Sequence, residues 1–165
     1  MMYTYCIKER GRNKIYHRTI TKAEITNENI LDREVVRQCI EDIKRFDRTV
    51  GYYSGPWRYD IPFIRSRALY HGLDFPEYGS RFHTDLYPVV KKNLSMHSRK
   101  LKEVAKLCLG KSQKTELDPK HWIMAMSGHE KSLGYILKHC KYDVIDLELV
   151  HQKLEPFYLE RDTSI

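Results

Sequence analysis

The feature that most constrains the fold is a change in hydrophobic period along the chain. Residues 2–9 and 15–20 are rich in β-forming side chains and flank an Arg-Gly-Arg-Asn turn, which predicts a β-hairpin. Between Asp32 and Phe46 the apolar residues recur at helical spacing, which predicts an amphipathic helix with Asp32 at or near its N-cap. Strands and helices then alternate, so we expect an α/β fold in which helices cover a mixed sheet.

The other elements are short and follow one another closely. The predicted strands are Thr49–Tyr53 and Phe82–Leu86, and the predicted helices are Asp60–His71, Leu94–Leu109, His121–Met126 and roughly Glu130–Phe157. A chain of 165 residues has the length of one ordinary domain. We therefore assign residues 1–160 to a single domain and residues 161–165 to a frayed tail.

Composition excludes several classes of protein. No apolar run approaches the roughly 20 residues that span a bilayer, and the first ten residues do not resemble a secretory leader, so we expect no membrane partner. The four cysteines, Cys6, Cys39, Cys108 and Cys140, are widely spaced and form no Cys-x-x-Cys pair. This spacing excludes a zinc ribbon and is typical of a reducing compartment, so we expect a cytoplasmic location.

The positive charge of the chain is unevenly distributed. Lys and Arg number 29 against 22 Asp and Glu, which gives a net charge of +7. Residues 91–120 hold nine basic and three acidic residues, whereas residues 121–165 hold five and seven. A basic sector attracts polyanions, and nearby carboxylates can bind a metal ion. A solvated basic surface without a partner explains the same charge.

Asp60 lies within Arg-Tyr-Asp-Ile-Pro-Phe at positions 58–63, between a predicted strand and a predicted helix. This position places its carboxylate at the C-terminal edge of the sheet, where open α/β sheets assemble their sites. A helix N-cap is the alternative, because Asp caps a helix well and proline is favoured in the first turn.

His139 and Asp143 lie four residues apart in the long C-terminal helix, so they occupy one helical face. An apolar stripe along the same helix turns that face toward the sheet. An imidazole beside a carboxylate suits a base next to a metal ligand. A pair that merely supports the helix is the alternative.

Three motifs in this order resemble the DEDD group of 3′–5′ exonucleases. They are Tyr-Asp-Ile-Pro-Phe at 59–63, Asp-Leu-Tyr-Pro at 85–88, and the helix that carries His139 and Asp143. These enzymes have the ribonuclease H-like fold and include the proofreading domains of family-B DNA polymerases. The resemblance covers about Val50 to Phe157 and implies a mixed sheet flanked by helices.

The resemblance also implies the roles of the site residues. In the family, two divalent cations, Mg²⁺ or Mn²⁺, are held by four carboxylates, and a Tyr or His positions the attacking water. Asp60 matches the second-motif carboxylate and Asp143 the third, which makes both of them metal ligands. His139 occupies the position where the tyrosine-type branch carries Tyr, and it would orient or deprotonate the water.

The first motif of the family, Asp-x-Glu on an opening strand, has no match in the chain. The two Asp-x-Glu triplets, at 32–34 and 146–148, both fall in predicted helices, where side chains two positions apart point in different directions. The hairpin 2–20 resembles the second and third strands of the fold, so the opening strand is expected upstream of Met1. Either the chain is truncated, which we favour, or it is a degenerate domain that binds without cutting.

We expect the substrate to be the 3′ end of single-stranded DNA or RNA. Lysines and arginines between 91 and 114, Lys100 and Lys111 among them, would neutralise its phosphates. Trp57, Arg58 and Tyr59 lie beside Asp60 and would contact terminal bases, although core packing is the alternative for the aromatic residues. A non-catalytic nucleic-acid-binding or partner-docking module and an endonuclease on the same fold remain alternative functions.

Overall fold

The fold is mixed α/β, with two small sheets flanked by helices. A computed structural model describes residues 1–55, 58–113, 118–159 and the backbone of 163–164. The strands are β1 (Thr4–Lys8), β2 (Ile15–Thr19), β3 (Arg48–Gly51), β4 (Phe82–Asp85) and β5 (Thr163–Ser164). The helices are α1 (Lys22–Thr26), α2 (Arg33–Ile43), α3 (Asp60–His71), α4 (Leu86–Asn93), α5 (Leu101–Leu109), α6 (Pro119–Met126) and α7 (Glu130–Leu154), which ends in a 3₁₀ turn.

The strands form two separate sheets. The hairpin strands β1 and β2 pair antiparallel, with Thr4 opposite Thr19 and Lys8 opposite Ile15. Strand β3 pairs parallel with β4, and β4 pairs antiparallel with β5. Among the described residues no strand joins β1 to β3. The expected single mixed sheet is therefore divided into two sheets, one formed by β1 and β2 and the other by β3, β4 and β5.

Helix α2 confirms the amphipathic pattern and packs against the hairpin. Val35, Val36, Cys39 and Ile40 are at most 1% exposed and lie in one apolar core with residues of β1 and α3. The turn that joins β1 and β2 contains Gly11, whose positive φ of 73° suits a residue without a side chain. The periodicity of the sequence was thus sufficient to identify this first core.

Helix α7 has 25 residues and is shared between two apolar cores. Leu133 and Ile136 in its first half pack into the core that α2 forms with the hairpin. Val150 and Leu154 in its second half are buried in another core, with α4 and α5. No helix in the described part of the chain is long and apolar enough to cross a membrane.

The region between β4 and α5 differs from the prediction. A helix was expected at Leu94–Leu109, but α4 begins directly after β4 and residues 94–100 lie outside the helices. The carboxylate of Asp85 accepts the N–H of Tyr87 at 2.9 Å and caps α4, and Pro88 occupies its first turn. Residues 94–100 then allow the chain to turn before α5. Of the predicted tail, residues 163–164 form β5, and residues 161, 162 and 165 lie outside the described residues.

Asp32 links three segments of the first core: the start of α2, the helix α3, and the residues that precede β1. It occupies the N-cap position of α2, as predicted, but its side chain is fully buried and makes no capping hydrogen bond. Its carboxylate accepts Arg67 Nε at 3.0 Å and the backbone N–H of Met2, and it lies 2.7 Å from His71 Nε2. Burial raises the pKa of Asp32, but the hydrogen bonds from Arg67, His71 and Met2 outweigh it and hold the pKa below its usual value.

The Asp32 network predicts a loss of stability in acid. Because its folded-state pKa is lowered, the ionised carboxylate stabilises the fold fully above the unfolded-state pKa of about 3.9, and this contribution is lost as the pH falls through the folded-state value. We expect Asp32→Asn to lower the free energy of unfolding at pH 7 by about 3 kcal/mol, because Arg67 loses its buried partner. Urea unfolding followed by circular dichroism at pH 7 and at pH 4 and below tests both statements.

Glu34→Gln is the matched control for this prediction. Glu34 pairs with Arg37 on the surface of the same helix, so its loss is expected to change stability by less than about 0.5 kcal/mol. Equal stability of Asp32→Asn and Glu34→Gln, or an unchanged acid dependence in Asp32→Asn, would contradict the role assigned to Asp32.

Candidate functional site

A cleft of about 1750 Å³ lies between the two sheets. It is lined by β1 and β3, by the beginnings of α3 and α5, and by the middle of α7. Asp60, His139 and Asp143, the three predicted catalytic residues, all line it. The fold therefore brings Asp60 to the same concave surface as His139 and Asp143, which lie 79 and 83 positions later in the sequence.

Asp60 is the first residue of α3 and faces the cleft. Tyr59 occupies the N-cap position, so the alternative of Asp60 as the helix cap is wrong. The side chain is accessible from the cleft, but protein surrounds the cleft and displaces bulk water from around the carboxylate. This desolvation, with a smaller contribution from the charge of Asp85, raises the pKa of Asp60 to about 6.

The loop that leads from β3 to Asp60 is held by Asp85. Its carboxylate accepts the backbone N–H groups of Tyr53, Ser54 and Gly55 at 2.8–3.2 Å. Tyr53 has a φ of +60°, which is costly for a residue with a side chain, and the hydrogen bond to Asp85 fixes it. Gly51 is required at the start of this loop, because a Cβ there would lie 1.9 Å from Ser54 Oγ.

His83 also supports this loop from within the protein. Its Nδ1 lies 2.8 Å from Thr49 Oγ1 and its Nε2 lies 2.9 Å from Ser54 Oγ. Burial lowers the pKa of His83 to about 4, although the charge of Asp85 acts in the opposite direction. His83 is therefore neutral near pH 7 and links β4 to β3 and its loop.

His139 and Asp143 face the cleft from α7. Their nearest side-chain atoms, His139 Nε2 and Asp143 Oδ2, are 3.9 Å apart, as expected for positions i and i+4 on one helical face. Cys140, the residue after His139, also lines the cleft, as does Cys6 of β1. Interaction with Cys6, burial and the charges of Asp143 and Asp60 raise the pKa of the Cys140 thiol.

The carboxylates of the cleft have the right chemistry for a hard cation but do not cluster. Carboxylate oxygens are the ligands that Mg²⁺ and Mn²⁺ prefer. In the ranges that the structure describes, however, no group of three or more His, Cys, Asp or Glu side chains could hold a metal ion. Asp60 and Asp143 therefore fit a metal site as donors, but by themselves they do not complete a two-metal site.

The two Asp-x-Glu triplets do not present paired carboxylates to the site, as their helical positions predicted, although Glu148 lines the cleft. Asp146 accepts Ser112 Oγ at 2.6 Å and Gln113 N–H at 3.0 Å, which anchors the loop after α5. Glu148 instead pairs with Lys8 at 2.6 Å, on β1. In the other triplet, Asp32 is buried while its neighbour Glu34 faces solvent. Neither triplet presents two carboxylates to one place.

The residues predicted to contact nucleic acid fall into three groups. Tyr59 and Lys100 line the cleft, and Tyr59 is 62% exposed and stacked on Phe63. Arg58 lies next to the cleft. Lys111 is exposed in the loop that Asp146 anchors and does not line the cleft. Trp57 lies outside the described residues.

Arg58 belongs to an aromatic cluster that the sequence did not reveal. Its guanidinium lies 4.5 Å from the ring centre of Tyr53 and 5.0 Å from that of Tyr87, both of which line the cleft. The two tyrosine rings meet edge to face at 4.9 Å. Tyr87 and Cys6 were missed because no sequence spacing relates them to Asp60 or Asp143; they approach through loops and strand pairing.

Comparisons with known proteins identify the family of the fold. A family model for the RNase_H superfamily matches residues 4–155. The chain is also 26% identical over 149 residues to a DNA polymerase of Methanocaldococcus jannaschii, in an alignment that covers 76% of the chain and 9% of that polymerase. The chain thus spans less than a tenth of that relative's length. The family match confirms the predicted ribonuclease H-like fold. The chain belongs to the RNase_H superfamily, whose fold is typical of nucleic-acid-processing nucleases.

Proposed function

We propose that the domain is a metal-dependent 3′–5′ exonuclease of the DEDD class that hydrolyses phosphodiester bonds at the 3′ ends of single-stranded DNA or RNA. The observation that carries the proposal is the position of Asp60 and Asp143, which line one cleft beside His139 although they come from separate elements. Membership of the RNase_H superfamily and the similarity to a DNA polymerase support a nucleic-acid substrate.

Asp60 and Asp143 are the residues that would hold Mg²⁺ or Mn²⁺. When bound, such a cation supplies stabilisation for the charge that develops on the phosphate and lowers the pKa of a bound water. Two carboxylates hold a hard cation weakly, so further oxygen ligands are needed for full occupancy of two metal positions. The two aspartates fix where the scissile phosphate would lie in the cleft.

His139 is the residue that would position the attacking water. Its Nε2 faces the Asp143 carboxylate at 3.9 Å, on a half-buried part of α7. A neutral imidazole accepts a proton near physiological pH. His139 would therefore orient the water and accept its proton.

A non-catalytic nucleic-acid-binding module is the second candidate. It is favoured by the scatter of the acidic residues that line the cleft, since no group of three or more His, Cys, Asp or Glu side chains among the described residues could hold a metal ion. The two candidates agree on the binding surface and differ only in cleavage. An endonuclease on the same fold differs in another way, because it would open a circular single strand that an exonuclease leaves intact.

Cleavage of a single strand tests the proposed activity directly. A 5′-labelled single-stranded oligonucleotide, incubated with the protein and excess Mn²⁺, is expected to lose nucleotides slowly, one at a time, from its 3′ end, because two aspartates hold the cations weakly. Asp60→Asn and Asp143→Asn remove a proposed metal ligand, so we expect each to slow the reaction at least about a hundredfold. Asp74→Asn, a change of the same type at an exposed position, should leave the rate unchanged.

Gel electrophoresis of the products separates the possible outcomes. Full activity of Asp143→Asn would contradict the proposed site. Salt-sensitive binding of the oligonucleotide without metal-stimulated cleavage would favour the binding module instead. Cleavage of a circular single strand would identify an endonuclease.

The salt dependence of binding tests the role of the positive charges in and next to the cleft. The logarithm of the binding constant for a single strand falls with the logarithm of salt concentration by about 0.7 for each neutralised phosphate. We expect Arg58→Ala and Lys100→Ala each to weaken binding and to reduce this slope by about 0.7. Lys111→Ala is the matched control, since that lysine does not line the cleft.

Fluorescence anisotropy with a labelled oligonucleotide at several salt concentrations measures both quantities. A larger effect of Lys111→Ala than of Lys100→Ala would show that the single strand follows the loop after α5 rather than the cleft.

A further inference from the structure

Two cysteines from distant parts of the chain lie at the cleft. Cys6 is in the middle of β1 and Cys140 is near the middle of α7, and both line the cleft. Each is a free thiol and only partly buried, so small solutes in the cleft can reach it. Neither residue has a role in the function proposed above.

The alternation of side chains along β1 turns Cys6 toward α7. The Tyr5 hydroxyl donates to Asp42, so the side chain of Tyr5 lies on the face that α2 covers. Lys8 pairs with Glu148 at 2.6 Å, so α7 covers the opposite face. Side chains two positions apart in a strand share a face, and Cys6 therefore lies on the same face as Lys8.

Cys140 lies on the side of α7 that meets this face. Cys140, Val144 and Glu148 follow one another at intervals of four residues, and all three line the cleft. Interaction with Cys6 is the largest of the causes that raise the pKa of the Cys140 thiol, and this interaction requires the two sulfur atoms to be close neighbours. Strand alternation, helix periodicity and the interaction of the thiols therefore agree on one contact between β1 and α7.

We propose that Cys6 and Cys140 are a redox-active pair that closes reversibly to a disulfide when the protein meets hydrogen peroxide. One thiolate attacks a peroxide oxygen, the O–O bond breaks, and a sulfenic acid forms as a first water leaves. The second thiol attacks that sulfur, the S–S bond forms, and a second water leaves. The two sulfurs lose two electrons, which reduce the peroxide, and the two thiol protons end in the two waters. A dithiol reductant reverses the reaction by thiol–disulfide exchange.

The other two cysteines are not placed for this reaction. Cys39 is 1% exposed and belongs to α2, on the opposite face of β1. Cys108 belongs to α5 and packs against the core that α5 shares with α4. Burial and the neighbouring carboxylates disfavour the thiolate of Cys140, so a solitary thiol there would react slowly, whereas a second thiol beside it captures the sulfenic acid once it forms. The expected product is therefore the disulfide with Cys6 rather than a more highly oxidised sulfur.

The disulfide would fasten β1 to the part of α7 that faces the cleft. Cys140 directly follows His139 and precedes Asp143 by one helical turn, so the bond would tie the hairpin sheet to the segment that carries both residues. The bond also closes a long loop of chain, which lowers the conformational entropy of the unfolded state. We therefore expect the oxidised protein to unfold at a temperature at least about 5 °C higher than the reduced protein.

Peptide mapping of the full 165-residue chain tests the pairing. The protein is treated with excess hydrogen peroxide at mildly alkaline pH, where more thiolate is present, and is digested with trypsin without reduction. Cleavage after Lys and Arg places the four cysteines in separate peptides, 1–8, 38–44, 107–111 and 139–141. By mass spectrometry we expect peptide 1–8 joined to peptide 139–141 with the loss of two hydrogen atoms, and the release of both after treatment with dithiothreitol.

Cys6→Ser and Cys140→Ser each remove one sulfur of the pair. We expect both variants to lose the joined peptide and the increase in unfolding temperature on oxidation. Cys108→Ser is the matched control and should keep both, since Cys108 lies outside the pair. Calorimetry before and after oxidation measures the unfolding temperature, and circular dichroism verifies that the variants are folded. Mapping of the unchanged protein tests the pairing without relying on any variant.

Several results would overturn the proposal. One is sulfinic acid at Cys6 or Cys140 without a joined peptide, and another is a joined peptide that contains Cys39 or Cys108 instead. A disulfide-linked dimer in a non-reducing gel would show that the thiols react between molecules. An equal increase in unfolding temperature in Cys140→Ser would show that the increase does not come from the pair. None of these measurements depends on cleavage of nucleic acid, so the redox pair and the exonuclease proposal can fail separately.

Discussion

The structure depends on one long helix that belongs to two cores. Helix α7 packs Leu133 and Ile136 against the hairpin and α2, and it packs Val150 and Leu154 against α4 and α5. Among the described residues the two sheets are not joined by backbone pairing, and α7, which packs on β1 and on α5, is a principal connection between the two cores. His139 and Asp143 lie between its two buried ends. The candidate site is therefore built where the two halves of the molecule face each other across the cleft.

Much of the fold followed from sequence periodicity and capping chemistry. The bounds of α3 and the positions of the hairpin and α2 were predicted closely, because their apolar patterns are regular and their ends carry turn or capping residues. The single predicted helix over Leu94–Leu109 was wrong at its start. The helix that precedes it, α4, was missed, because the predicted strand was continued through Leu86. In the structure the side chain of Asp85 caps α4, so the strand ends and the helix begins at this point. The division of the sheet depends on pairing between distant segments, which one sequence does not specify.

The candidate site was predictable in its charged residues but not in its surroundings. Asp60 and Asp143 stand in ordered motifs, and the i, i+4 relation of His139 to Asp143 is fixed by helix geometry. Cys6, Tyr87 and the stacking of Arg58 depend on how loops and strands meet, so no spacing indicated them. The sequence predicts Asp32 only as an N-cap residue of α2. Its role as a buried partner of Arg67 required the fold of α3 against α2.

Asp85 has a consequence that extends beyond its own hydrogen bonds. The same carboxylate accepts N–H groups from the loop that precedes Asp60 and from the first turn of α4. One carboxylate therefore holds residues 53–55 and the first turn of α4, whose Leu86 and Val90 pack in the second core. Residues 53–55 are in turn linked to α3 beside Asp60, because the Ser54 carbonyl accepts the N–H of Ile61 at 3.2 Å. A change in packing around α4 would displace the Asp60 carboxylate relative to Asp143, so the spacing of the two acids is set partly by the interior of the second core.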